Sequence, residues 1–187
     1  MNVYDFDQTI YFPDSSYDFF RYCLKRFPSA VLPVLPAGIP LALAYRRGRV
    51  GAKELKQQLF SFLSRLDDTD RIVADFWSSH RRKLQSWYLK QKRDDDLIIS
   101  ASPEFLLLPV SRELGVRLIA TRMDRATGQI TGENCHDEEK VKRFFASYPD
   151  GKIDSFYSDS LSDRPLAALA ERAFLVKNGQ LKPWPEP

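Results

Sequence analysis

After residue 95 the chain alternates short apolar runs with helical stretches: Leu97-Ile98-Ile99, then a helical pattern opening at Pro103, then Val116-Arg117-Leu118-Ile119-Ala120. Strands of this kind separated by one helix make a βαβ unit, and such a crossover sets its two strands parallel. In the connecting segment Leu106, Leu107, Val110 and Leu114 form an apolar face, Pro103 suits the first turn and Gly115 stops the helix. Further strands are predicted at Ile153–Ser158 and Ala173–Val176, with a helix near Pro165 between them and the Asn178-Gly179 turn after the last. One more strand, Asn2–Phe6, opens the chain. The expected fold class is α/β, a doubly wound parallel sheet.

Residues 11–95 interrupt the alternation and read as helical. Phe19, Phe20, Cys23, Leu24 and Phe27 mark one helix, capped by Ser15 or Ser16, and Leu55, Leu59, Phe62, Leu63 and Leu66 mark a second. Val73, Phe76, Trp77, His80, Leu84, Trp87 and Tyr88 fall on one face of a third, long helix. The predicted organisation is a core of residues 1–12 and 95–187 with an inserted helical bundle at 13–94. His80, Trp77, Trp87 and Tyr88 are assigned to the interior of that bundle rather than to a base-stacking platform, and no nucleic-acid partner is expected.

The net charge of +3 hides an asymmetry, because residues 21–93 hold 16 Lys and Arg against 5 Asp and Glu. A basic insertion beside an acidic body suits an anionic substrate. Residues 27–45 are 19 positions without a charge, close to the roughly 20 that cross a bilayer. Pro28, Pro33, Pro36 and Pro40 argue instead for broken helical turns, buried or facing a partner. Two cysteines and two histidines make neither a disulfide framework nor a zinc cluster, and the strand-like start is not a secretory leader, so a cytoplasmic location is expected.

Carboxylates, hydroxyls and one lysine recur near the predicted strand ends. Asp5-Phe6-Asp7-Gln8-Thr9 closes the first strand; alternate strand residues share a face, which projects Asp5 and Asp7 together at the carboxyl edge of the sheet. Two carboxylates there either hold a hard cation such as Mg²⁺, which takes few protein ligands, or cap a loop. Ser100-Ala101-Ser102 closes the second strand before a helix, as an anion site or as an N-cap. Lys140, in the charged stretch 134–141, reads by itself as a solvated helix residue, and His136, four residues before it, is assigned to the surface in preference to the pocket rim. At 157–163, Asp159 can complete a metal site, while Asp163 can cap a helix or hold a metal-bound water or the lysine.

In this order the four segments resemble the haloacid dehalogenase superfamily of aspartate-nucleophile phosphohydrolases, in its phosphoserine-phosphatase-like branch with a helical cap between the first and second motifs. The resemblance covers essentially the whole chain. It implies a Rossmann-like three-layer core with sheet order 5-4-1-2-3, and Mg²⁺ held by the Asp5 carboxylate, the Asp7 main-chain carbonyl and the Asp159 carboxylate. Asp5 is then the nucleophile, Asp7 the acid and base, Thr9, Ser100 and Lys140 the phosphate ligands, and Asp163 a support behind them. Gln8 departs from the family, where glycine is usual, which bears on the turn and the cavity entrance. The implied activity is hydrolysis of a small phosphorylated metabolite through an aspartyl-phosphate. Two alternatives stand beside it. Residues 27–49, with Arg46, Arg47 and Arg49 after the apolar run, look like the cap of phosphatidylglycerophosphate phosphatases, implying a lipid phosphate at an anionic membrane surface. The other, non-enzymatic, is an idle scaffold whose basic segment serves as an anion-, nucleic-acid- or protein-binding module, against which the intact motifs count.

Overall fold

In the computed structural model, which describes residues 1–185, six strands form one sheet: β1 (Asn2–Tyr4), β2 (Leu97–Pro103), β3 (Arg117–Thr121), β4 (Ile153–Ser158), β5 (Ala170–Lys177) and β6 (Gln180–Pro183). Their order is β3-β2-β1-β4-β5-β6, the first five parallel in the expected 5-4-1-2-3 arrangement. The sixth strand corrects the sequence reading, which ends the sheet at β5. It returns antiparallel through Asn178-Gly179, both at positive φ (51° and 74°). All four of its residues are exposed, so it carries no apolar alternation by which a strand is recognised.

Between β1 and β2 the chain is helical, with α1 (Ser15–Arg26), α2 (Pro28–Val31), α3 (Leu35–Arg46), α4 (Ala52–Phe60), α5 (Thr69–His80) and α6 (Ser86–Gln91). The core adds α7 (Glu104–Leu114), α8 (Glu138–Ser147) and α9 (Arg164–Ala167). Pro103 caps α7 from the end of β2, and Gly115 closes it in the left-handed conformation at φ 70°. Asp14, not Ser15 or Ser16, caps α1, its carboxylate accepting the Tyr17 N–H at 2.7 Å.

The long third helix of the bundle is broken. After α5, Leu84 turns extended and bridges Tyr11, while Phe12 N–H donates to the Lys83 carbonyl (3.3 Å) and Gln85 N–H to that of Ile10 (2.7 Å). Pairing with the loop after β1 therefore replaces one helical turn, although the apolar spacing continues unbroken. The second helix also ends early, at Phe60, and continues as a 3₁₀ turn over Ser61–Arg65. His80 stacks on Phe76, with ring centroids 4.2 Å apart, and its Nδ1 lies 3.0 Å from the Phe76 carbonyl.

Alternate strand residues supply two cores. Val3, Leu97, Ile99 and Phe156 meet Phe144 of α8 and Leu166 of α9 on one face. Tyr4, Ile98 and Tyr157 face the other, where α7 and the inserted helices share a single continuous core. Phe105 of α7 stands 6.2 Å from Phe19 and 6.3 Å from Phe60 between ring centroids, and the buried Trp77 Nε1 donates to the Leu106 carbonyl at 2.7 Å. That indole bond satisfies a polar atom which would otherwise be stranded inside the core.

Candidate active site

Asp5 and Asp7 reach the sheet edge through a turn, not through strand alternation. β1 stops at Tyr4; Asp5 N–H still donates to the Tyr157 carbonyl at 2.8 Å, and the Phe6 carbonyl then accepts from Ile10 and Tyr11 N–H at 2.8 and 2.9 Å. Gln8 sits inside this turn at φ 56°, with its N–H donating to the Pro13 carbonyl at 2.9 Å. A left-handed backbone costs a residue with a Cβ about 1–2 kcal/mol and glycine almost nothing, although glycine loses more entropy on folding. Gln8→Gly is therefore expected to stabilise the chain by about 0.5–1 kcal/mol, read as a rise of roughly 1–4 °C in Tm. The turn also buries Thr9 completely; its Oγ1 has no hydrogen-bond partner, and it lies outside the wall of the cavity described next.

Asp5, Asp7, Ser100, Lys140, Asp159 and Asp163 line one cavity of about 370 Å³, at the carboxyl ends of β1, β2 and β4. Lys140, in the first turn of α8 and 2% exposed, donates to Asp5 Oδ1 and to Asp163 Oδ2, both at 2.8 Å. Ser158 Oγ also donates to Asp163 Oδ2, at 2.6 Å. Burial alone pulls the lysine's pKa down, but the charges of Asp5 and Asp163 outweigh it and hold the ammonium protonated. Burial pushes the Asp5 carboxyl up to about 7 against the opposing pull of Lys140. Asp159 follows β4, its own carboxyl raised by burial, and its main-chain carbonyl accepts from Lys177 Nζ at 2.5 Å.

Asp7 is held at both oxygens. Ser15 N–H donates to Oδ1 at 2.6 Å and Ser102 Oγ to Oδ2 at 2.5 Å. Burial and then the charge of Asp14 push its carboxyl up to about 6, against these hydrogen bonds. Ser102 N–H donates to Ser100 Oγ at 3.1 Å, which leaves the Ser100 hydroxyl proton free to point into the cavity.

Several lining residues escape the sequence reading. Ser102 reads as an N-cap, yet its hydroxyl binds Asp7 and lies 2.8 Å from Ser16 Oγ. Lys56 of α4, one of 16 cations in its region, reaches the cavity and donates to the Ala101 carbonyl (2.7 Å) and Asn134 Oδ1 (2.8 Å). Burial lowers its pKa. His136, assigned from sequence to the surface, is exposed but stands on the cavity rim, with Nε2 3.3 Å from Ser162 Oγ. Its place four residues before Lys140 offers that rim as the alternative to the surface, and the loop before α8 carries it there.

Comparison with known proteins places the chain as a whole. Protein CicA of Caulobacter vibrioides is 27% identical over 194 residues, covering 95% of this chain and 86% of its own. A protein of unknown function from Bordetella pertussis Tohama I has the same fold, with a TM-score of 0.79 at 23% identity over 92% of this chain and 87% of its own. A phosphoserine phosphohydrolase-like protein from Francisella tularensis superposes with a TM-score of 0.58 at 15% identity, over 92% and 86% of the two chains. The family model of the haloacid dehalogenase-like hydrolases matches residues 3–168, a span that holds every acid, hydroxyl and lysine of the cavity wall, and the chain belongs to that family.

Proposed function

We propose that this protein is a Mg²⁺-dependent phosphomonoester hydrolase acting on a small, polar phosphorylated metabolite through an aspartyl-phosphate on Asp5. The observation that carries the reading is the buried array Asp5–Lys140–Asp163 set beside an independently anchored Asp7. The name of the Francisella relative points the same way.

The donor set fits a hard divalent cation. Lys140 is shared between Asp5 and Asp163, Asp159 lines the same cavity beside the charge of Lys177, and the buried Asp163 Oδ1 has no hydrogen-bond partner. No three His, Cys, Asp or Glu side chains among the described residues form a metal cluster, so the ion would rest on the Asp5 and Asp159 carboxylates, the Asp7 carbonyl and water. Bound there, it would neutralise the charge of the phosphate and of the carboxylate approaching it.

The chain's own groups divide the remaining work. Lys140 holds Asp5 Oδ1 and leaves Oδ2 to attack phosphorus, while the Ser100 hydroxyl donates to a phosphate oxygen. As the Asp5–phosphorus bond forms, the bond to the leaving oxygen breaks and that oxygen takes the proton of Asp7. In the second half Asp7 accepts a proton from water, the water oxygen bonds to phosphorus, and the Asp5–phosphorus link opens. Ser15 and Ser102 keep Asp7 in place for both transfers. The hydroxyls of Ser16, Ser102 and Tyr45 and the ammonium of Lys56 give the rest of the wall a polar character suited to a hydrophilic leaving group.

Hydrolysis of p-nitrophenyl phosphate by the purified protein tests the reading. Activity should vanish with EDTA and return with Mg²⁺. Asp159→Ala should raise the Mg²⁺ needed for half-maximal rate by at least about tenfold. No turnover at any Mg²⁺ concentration would remove the proposal, and an unchanged Mg²⁺ dependence would remove Asp159 from the ligand set.

A further inference from the structure

The arm that enters α3 is the part of the molecule its own fold leaves uncovered. An 18-residue window of Pro28–Arg46 has a mean hydropathy of 1.5 but is only 22% buried, so of the two expectations, buried or facing a partner, burial does not hold for most of the segment. Its inner side is accounted for. Val31 and Val34 belong to the shared core, and Gly38 packs so closely on α4 that an added Cβ would stand 3.2 Å from Leu59 Cδ2. Its outer side carries Leu32, Pro36, Ile39, Pro40 and Leu43 at helical spacing, with Leu32, Ile39 and Leu43 exposed by 53%, 60% and 47%. A helix apolar on every side belongs in a core or in lipid, and here one side has no core.

Charge decides the occupant. No acidic residue occurs between Asp18 and Glu54, while Arg21, Lys25 and Arg26 precede the stripe and Arg46, Arg47, Arg49 and Lys53 follow it. At the near end Asp67, Asp68 and Asp75 line a pocket with Phe27, Ser29 and Ala30, whereas at the far end Arg46, Arg47 and Arg49 are exposed, and a second copy seated on this face would offer those arginines no acid from its own stripe. An anionic bilayer matches both features, with apolar side chains entering the acyl boundary and arginines meeting the headgroups. We propose that residues 28–49 dock the protein on an anionic membrane surface. The arm lies in the interface and does not cross it, because its inner side stays packed on α4. Tyr45, in its last turn, also lines the catalytic cavity, so docking sets the cavity mouth beside the headgroups.

Vesicle flotation of the full chain tests this without any turnover, so its failure and that of the phosphatase reading are separable. Binding to phosphatidylcholine vesicles containing phosphatidylglycerol should exceed binding to phosphatidylcholine alone by about tenfold or more, and should fall as salt rises. Ile39→Glu with Leu43→Glu should abolish flotation while the thermal melt and p-nitrophenyl phosphate hydrolysis remain those of wild type. Should that pair disturb folding, Arg46→Gln, Arg47→Gln and Arg49→Gln together should weaken flotation by a similar factor. Equal binding to both vesicles, binding to neither, or a dimer that the double variant dissociates without any flotation would overturn the proposal.

Discussion

Asp5→Asn should yield a folded protein whose turnover of phosphate esters falls by roughly 10³-fold or more. An amide oxygen still accepts the Lys140 hydrogen bond, so the geometry around the wild-type 2.8 Å contact survives, but an amide does not attack phosphorus. Stability should hold or rise. Asp5 is 8% exposed and shares one buried ammonium with Asp163, so removing its charge lessens a desolvation cost while Lys140 keeps a carboxylate partner. Activity and Tm measured on one preparation check both halves. Wild-type turnover would overturn the covalent route, and a large fall in Tm would show that the Asp5 charge supports the fold.

Lys140→Met should have the opposite profile, with fold and activity failing together. The substitution removes the cation between Asp5 and Asp163 and leaves both carboxylates buried without their counter-charge, at a cost of roughly 3–5 kcal/mol. For a chain of this size that is a fall of roughly 6–20 °C in Tm. Adding Asp163→Asn should recover part of the stability and none of the turnover, since it removes a stranded charge without restoring a donor to Asp5. A double variant no more stable than the single one would mean that the lysine's contribution is packing rather than charge.

The acids and hydroxyl of the site were legible because each sits near the end of a strand, and strands here are marked by short apolar runs. Asp5, Ser100 and Asp159 follow from that rule, and Lys140 and Asp163 from the four segments taken in order. Lys56 follows from no rule, since what distinguishes it from the other bundle cations is burial, which α4 acquires by packing. Leu84 keeps the helical spacing and still leaves the helix, because main-chain pairing with the loop after β1 competes with the helical hydrogen bonds. β6 was invisible for the reverse reason, a strand with no buried side. Thr9 shows the limit of reading a motif as a flat string, because the turn that brings Asp7 to the cavity takes Thr9 out of its wall.

The core shared by α7 and the inserted helices constrains how such a chain can evolve. Phe19, Phe60, Phe76 and Trp77 pack with Phe105, Leu106 and Tyr4 in one cluster, so the bundle does not bring a separable interior with it. A recombination that exchanged the insertion whole would strip the sheet of one covering layer and fail unless α7 and the matching strand residues changed in step. New specificities are therefore reached by single replacements at positions that face the cavity without entering that cluster, such as Ser16, Tyr45 and Lys56. Diversification in this lineage should run residue by residue along three short helical turns, with the aromatic interior held nearly fixed.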